Sequence, residues 1–203
     1  MFLFLNFWKV KIGDLSMGRI EQLSDRYSRH IRLPWQKDLA GAQKGIFVIY
    51  QPTDERRLRN RKELFEMETK KAGHGWKECD LTRTFAEWIS NVNYRESYFA
   101  SPEDLALKLD EEFVDFVAEK VRKVLQDPDT NDSTVVAVFG IASLFGFARV
   151  SELMSEIEKD IKGRVVVFFP GEFDQNNYRL MDARDSWNYL AVPITLHDEI
   201  NGK

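Results

Sequence analysis

The stretch Arg164-Val-Val-Val-Phe-Phe-Pro-Gly171 contains the clearest strand signal in the chain. Its apolar run from Val165 to Phe169 is β-branched or aromatic throughout, which is typical of a strand buried on both faces. Proline cannot donate a hydrogen bond to a central ladder, and glycine tolerates positive φ. We therefore predict that the strand ends at Pro170-Gly171, and that a polar loop separates it from a second apolar run at 189–194.

Strands and amphipathic helices alternate along the rest of the chain. Apolar runs predict strands at 45–50, 76–81 and 133–139, and helical spacing predicts helices at 18–31, from 53 or 54 to 72, at 82–89, 101–124 and 150–161. This alternation predicts a single α/β domain over residues 17–203. We expect a mostly parallel sheet of about five strands with helices on both faces, resembling a nucleotide-binding sheet.

The carboxyl ends of parallel strands meet at one edge of such a sheet, which is where α/β sheets bind ligands. Four segments are expected to converge there, namely 51–54, 80–82, 140–143 and 170–179. No Gly-Lys-Ser/Thr follows Gly140, so the sheet lacks a phosphate loop and nucleotide hydrolysis by this chain alone is not expected. Ser143 lacks the flanking glycines of a nucleophile elbow and is interpreted as a helix cap.

Composition excludes several further classes of chemistry. The chain has 203 residues and a formal net charge of −4, which removes the simple electrostatic case for nucleic-acid binding, although a local basic patch remains possible. Its one cysteine, Cys79, excludes an internal disulfide, is expected to be buried, and fits a reducing cytoplasm. The histidines His30, His74 and His197 are far apart, so we predict no metal site, no cofactor and no catalytic residue.

Residues 1–16 form neither a secretory signal nor a membrane-spanning segment, because they lack a cleavage site and the required apolar length. We predict no membrane association. Met17 stands directly before an amphipathic segment. The first sixteen residues are therefore interpreted as an extension, from an upstream start or from the way the protein was produced.

A cluster of cations opens the helix that follows the first strand: Arg56, Arg57, Arg59, Arg61 and Lys62. Positive charge in the first turns opposes the helix dipole, so helix stability does not explain the cluster. One interpretation is a solvated face paired with Glu55, Glu63 and Glu66. The other is a docking patch for phosphate, nucleic acid or an acidic partner.

Acidic residues are also concentrated at the expected strand-end edge, at Asp54, Asp80, Glu172, Asp174, Asp182 and Asp185. They could supply a carboxylate pair or a magnesium site, which would make the protein a cryptic hydrolase or nucleotide-binding domain. Nothing in the spacing of these acids favours a carboxylate pair or a magnesium site. Capping and ion pairing with Arg179 and Arg184 is the alternative use.

Several distinctive strings lie between residues 17 and 194. Among them are Ala72-Gly-His-Gly-Trp76, Ala142-Ser-Leu-Phe-Gly-Phe-Ala-Arg-Val150, Phe168-Phe-Pro-Gly-Glu172, Asn176-Asn-Tyr-Arg-Leu180 and Asp185-Ser-Trp-Asn-Tyr-Leu-Ala-Val-Pro-Ile194. Together they resemble the BrxB proteins of bacterial BREX (bacteriophage exclusion) systems. The resemblance implies a cytoplasmic defence protein that is encoded beside a DNA methyltransferase, a large ATPase and an alkaline-phosphatase-like protein, PglZ. It implies no catalytic motif.

The leading hypothesis is a noncatalytic assembly subunit that binds another BREX protein, the PglZ-like protein first of all. Arginine and aromatic residues are favoured anchors at interfaces. The residues predicted to bind the partner are Pro170, Gly171, Glu172, Asn176, Asn177, Tyr178 and Arg179. The alternatives are a nucleic-acid-binding accessory protein that uses the Arg56 to Lys62 cluster, and the cryptic hydrolase that uses Glu172 and nearby acids.

Overall fold

The computed structural model describes residues 17–36, 38–183 and 186–196. The predictions for residues 1–16, Arg184, Asp185 and His197 lie outside these ranges.

The described chain alternates strands and helices, as expected. The strands are β1 Gly45–Tyr50, β2 Gly75–Asp80, β3 Thr134–Phe139, β4 Arg164–Asp174, β5 Asn177–Leu180, β6 Trp187–Asn188 and β7 Val192–Ile194. The helices are α1 Arg19–Ile31, α2 Glu55–Asn60, α3 Glu63–Lys71, α4 Thr84–Ser90, α5 Arg95–Ala100, α6 Ala106–Lys108, α7 Val114–Leu125 and α8 Val150–Ile157. A π-helical turn, Leu109–Phe113, joins α6 to α7, and 3₁₀ turns occupy Gly41–Lys44, Pro52–Asp54, Pro102–Leu105, Ile141–Leu144 and Glu158–Asp160.

The α/β class is confirmed, but the sheet is mixed and has seven strands in the described residues. Five strands are parallel in the order β2-β3-β4-β1-β7. Strand β5 then pairs with β4, and β6 with β5, both antiparallel. The expected sheet of about five mostly parallel strands therefore needs correcting. Gln175 and Asn176 both have positive φ, 47° and 64°, and this conformation makes the two-residue turn that joins β4 to β5.

Helices cover both faces of the sheet, because alternate residues of each central strand enter two different cores. In β1, Ile46 and Val48 pack with α1, α2 and α3, whereas Phe47 and Ile49 pack with α4, α7 and α8. All six residues of β1 and of β3 are buried. Val165 to Phe169 of β4 are buried as well, which confirms the predicted two-faced burial of that strand.

Strand β4 does not end at Pro170-Gly171, contrary to the prediction. Pro170 is the last residue paired with β1, and its carbonyl accepts a hydrogen bond from the backbone N–H of Met181, at 2.9 Å. Gly171 then begins the antiparallel pairing with β5. A Cβ atom there would lie 2.1 Å from the carbonyl oxygen of Arg179, so glycine permits a close approach of two strands. The two residues mark an exchange of partners within one strand.

Candidate functional site

The carboxyl edge of the parallel sheet carries a network of hydrogen bonds and salt bridges. Tyr50, the last residue of β1, donates its hydroxyl hydrogen to the carboxylate of Glu55. Arg59 in α2 binds the same carboxylate at 2.8 Å and reaches Asp80, the last residue of β2, also at 2.8 Å. Glu55 thereby ties α2 to the end of β1, and Arg59 ties it to the end of β2.

The ends of β2 and β3 also meet, as the sequence predicts. The Ser143 hydroxyl donates to the carbonyls of Leu81, at 3.0 Å, and Gly140, at 2.6 Å. The prediction that Ser143 caps a helix is wrong, since its hydroxyl joins two strand-end segments instead.

Burial alone would raise the pKa of Asp80, but hydrogen bonds from Arg59 and Thr82 outweigh the effect of burial and lower the pKa to about 2.

Four of the five cations predicted as a basic patch form salt bridges. Arg59 pairs with Glu55, as one interpretation expected, and with Asp80; the other pairs are Arg57–Asp54, Arg61–Glu21 and Lys62–Glu78. Arg56 forms no salt bridge with any residue that the structure describes. The positive charge of the cluster is therefore largely offset by carboxylates from α1, β2 and the turn before α2.

Three of the acidic residues predicted at this edge, Asp54, Asp80 and Glu172, are engaged in the same way. The buried carboxylate of Asp54 binds Arg19 at 3.2 Å and Arg57 at 3.1 Å. Glu172 forms a salt bridge with Arg179 directly across the β4–β5 ladder, which confirms the predicted ion pairing with Arg179. Over the described ranges, no three His, Cys, Asp or Glu side chains are grouped so that they could hold a metal ion.

Two other sequence interpretations concern single residues. Cys79 is buried, as predicted, and burial raises the pKa of its thiol to about 11, which disfavours the reactive thiolate. His74 lies in the turn that ends α3, after Gly73 with φ of 86°. Its backbone N–H donates to the carbonyl of Thr69 at 3.2 Å.

The residues predicted to bind a partner separate into buried and exposed groups. Pro170, Gly171 and Tyr178 are buried, so they support the fold and offer no surface. The Tyr178 hydroxyl donates to the carbonyl of Ala191 at 2.8 Å, and its ring lies 4.7 Å from that of Phe47. Four members remain at least partly accessible on the β4–β5 hairpin: Glu172, Asn176, Asn177 and Arg179.

A groove beside this hairpin was not predicted from the sequence. It has a volume of about 510 Å³, and its lining residues come from 145–151, 180–183 and 186–187. Its lining includes Phe145, Arg149, Leu180 and Trp187. Phe145 is 39% exposed, whereas Phe147 stacks on Phe85 with ring centroids 4.1 Å apart. We call the groove and the four accessible hairpin residues the hairpin groove.

Of three comparisons of the chain with known proteins, one gave a match. Searches of curated proteins and of solved structures gave no match. None of the described helices has an apolar stretch of the length needed to span a membrane. The family model described as BREX protein BrxB matches residues 77–194, which is more than half of the 203 residues. That range contains the whole hairpin groove and excludes the cations at 56–62. The chain therefore belongs to the BrxB family, and the protein is a component of a BREX phage-defence system.

Proposed function

We propose that the protein is a noncatalytic subunit of its BREX system, which acts by binding another BREX protein through the hairpin groove. The PglZ-like protein is the proposed partner. The observation that supports this function best is the groove itself, which is lined by the exposed Phe145 and Arg149 and by Leu180 of the β4–β5 hairpin. Aromatic rings and arginines are favoured anchors at protein interfaces.

The two alternative functions have less support. Nucleic-acid binding requires unneutralised positive charge, but four of the five cations between Arg56 and Lys62 are already paired with carboxylates. A hydrolase requires an available acid or base, but three of the candidate acids, Asp54, Asp80 and Glu172, are each bound by an arginine. Binding of a partner in the groove, by contrast, does not require any of these salt bridges to break.

Titration of the purified PglZ-like protein into the full chain tests this proposal. The Phe145→Ala variant removes an exposed ring from the groove, and Arg179→Ala removes half of the ion pair on the neighbouring hairpin. Phe99→Ala is the matched control, because Phe99 is 62% exposed in α5 and lies outside the groove. We expect Phe145→Ala to weaken binding by about 30-fold, the effect of losing about 2 kcal/mol at an interface hot spot.

Arg179→Ala should weaken binding less, by a few-fold, because its side chain is half-exposed and screened by solvent. Binding that is undiminished in both groove variants would contradict the assignment of the surface. Absence of binding by the unmodified protein to every other BREX protein would contradict the proposed function as a whole. A loss in Phe99→Ala equal to that in Phe145→Ala would move the interface away from the hairpin groove.

A further inference from the structure

A second cavity lies at the opposite edge of the sheet, at the amino ends of four neighbouring strands. It has a volume of about 530 Å³. The residues just before β1, β2 and β3 line it, namely Lys44, His74 and Ser133, together with Lys162 and Arg164 at the start of β4. Because β2, β3, β4 and β1 are consecutive in the sheet, their amino ends form one continuous wall. We call this the amino-edge cavity.

The cations of the amino-edge cavity have carbonyl partners instead of carboxylate partners. Arg164 donates to the carbonyls of Gly163 and Gln36 at 3.1 and 3.4 Å, Lys44 to Ile161 at 3.0 Å, and Lys162 to Thr130 at 3.1 Å. None of the three forms a salt bridge within the described ranges. Asp132 is the single carboxylate among the lining residues, and it too forms no salt bridge there.

Arg164 is the most unusual of these residues. It is only 8% exposed, and its guanidinium lies 4.7 Å from the ring centroid of Trp35, which stacks on His74 at 3.7 Å. A buried cation without a counter-charge is costly in free energy. A guanidinium also has five N–H donors, and only two of them donate in the hydrogen bonds to Gly163 and Gln36. The fold thus holds a pre-positioned positive charge with spare donors at the wall of a cavity.

We propose that the amino-edge cavity binds a phosphate group, either as inorganic phosphate or as the monoester of a small molecule. Three cations and one carboxylate leave a formal surplus of two positive charges, which a doubly charged oxyanion would neutralise. Each lysine ammonium has three donors and uses one, so donors remain for several phosphate oxygens. Arginine and lysine together are the usual ligands of phosphate in proteins. This site is separate from the hairpin groove and does not depend on the proposed function.

Isothermal titration of the full chain, in a phosphate-free buffer of constant ionic strength, tests this inference. The probes are inorganic phosphate and adenosine monophosphate, with chloride as the reference anion. Lys162→Gln removes one cation of the cavity, and because the side chain is exposed the variant should fold. Lys159→Gln is the matched control, since Lys159 is also exposed, forms no salt bridge with a described residue and does not line the cavity.

We expect saturable binding of at least one probe, about tenfold weaker in Lys162→Gln and unchanged in Lys159→Gln. Equal affinity for both probes would assign the site to a free phosphate group, and tighter binding of the nucleotide would assign it to a phosphate monoester. Equal weakening in the two variants would overturn the proposal, because it would indicate general charge attraction. Absence of saturable binding by both probes would overturn it as well.

Discussion

The two edges of the parallel sheet use positive charge in opposite ways. At the carboxyl edge, Arg59 lies between Glu55 and Asp80 and holds the end of β2 to α2. At the amino edge, Arg164 is more deeply buried, and its guanidinium contacts two carbonyls and the ring of Trp35 but forms no salt bridge with a described residue. Ligands of α/β sheets are expected at the carboxyl edge. In this chain, charge pairing indicates that the carboxyl edge is a closed framework, beside the groove that we propose as the docking site, whereas the amino edge carries the cations that we propose for an anion.

The largest expected effect concerns how tightly each edge is packed. At the carboxyl edge, Gly140 has φ of 81°, and a Cβ atom would lie 2.5 Å from the backbone nitrogen of Thr82. At the amino edge, Gly73 has φ of 86°, but there is open space where its Cβ atom would lie. We expect Gly140→Ala to lower the free energy of unfolding by about 3 kcal/mol or more, and Gly73→Ala by about 1 kcal/mol. Urea unfolding of both variants measures the difference; equal losses would contradict the contrast in packing.

The second effect concerns the two arginines. Arg59→Met leaves two carboxylates without their cation, and we expect a loss of about 2 kcal/mol in the free energy of unfolding. Arg164→Met removes a buried charge that has no carboxylate partner, so the change should stay within about 1 kcal/mol of zero. Urea unfolding at neutral pH tests the pair. A larger loss for Arg164→Met than for Arg59→Met would reverse the comparison between the edges.

The smallest effect is a dependence on pH at the carboxyl edge. The pKa of the Asp80 carboxyl is lowered from 3.8 to about 2, so its interactions stabilise the fold above pH 3.8 and are lost as the pH falls through about 2. The side chain is half-exposed, and screening limits the loss in Asp80→Asn at neutral pH to about 1 kcal/mol. Urea unfolding of both proteins from pH 7 to about pH 2 should show the difference disappearing across that interval. A constant difference would assign the loss to packing instead of charge.

The three central strands β1, β3 and β4 could be predicted because they are buried on both faces. Val165 to Phe169 and the run at 45–50 are continuously apolar, and only a two-faced strand requires that pattern. Strand β5 could not be predicted in the same way. Its four residues alternate in burial, and its turn places positive φ at Gln175, a residue type that gives no turn signal. Its stability comes from pairing with the extension of β4, which is a tertiary interaction.

The candidate sites depend even more on tertiary structure. The spacing of Glu55 and Arg59 predicts their pairing on one helix, but the contact of Arg59 with Asp80 joins residues 21 positions apart. Phe145 and Phe147 are identical in type, and only their packing shows which ring is exposed. The amino-edge cavity is defined by cations that form no salt bridge with any described carboxylate. Local sequence cannot reveal this, since it depends on the positions of all neighbouring acids.

The most direct test of the division between the two edges is a pull-down of the tagged protein, after nuclease treatment, from cells that express the whole BREX operon. The unmodified protein, Phe145→Ala and Lys162→Gln would be compared side by side. We predict that the unmodified protein and Lys162→Gln retain a stoichiometric protein partner, the PglZ-like protein, and that Phe145→Ala loses it. Retention of the partner by Phe145→Ala together with its loss from Lys162→Gln would contradict the account, because docking would then take place at the amino edge.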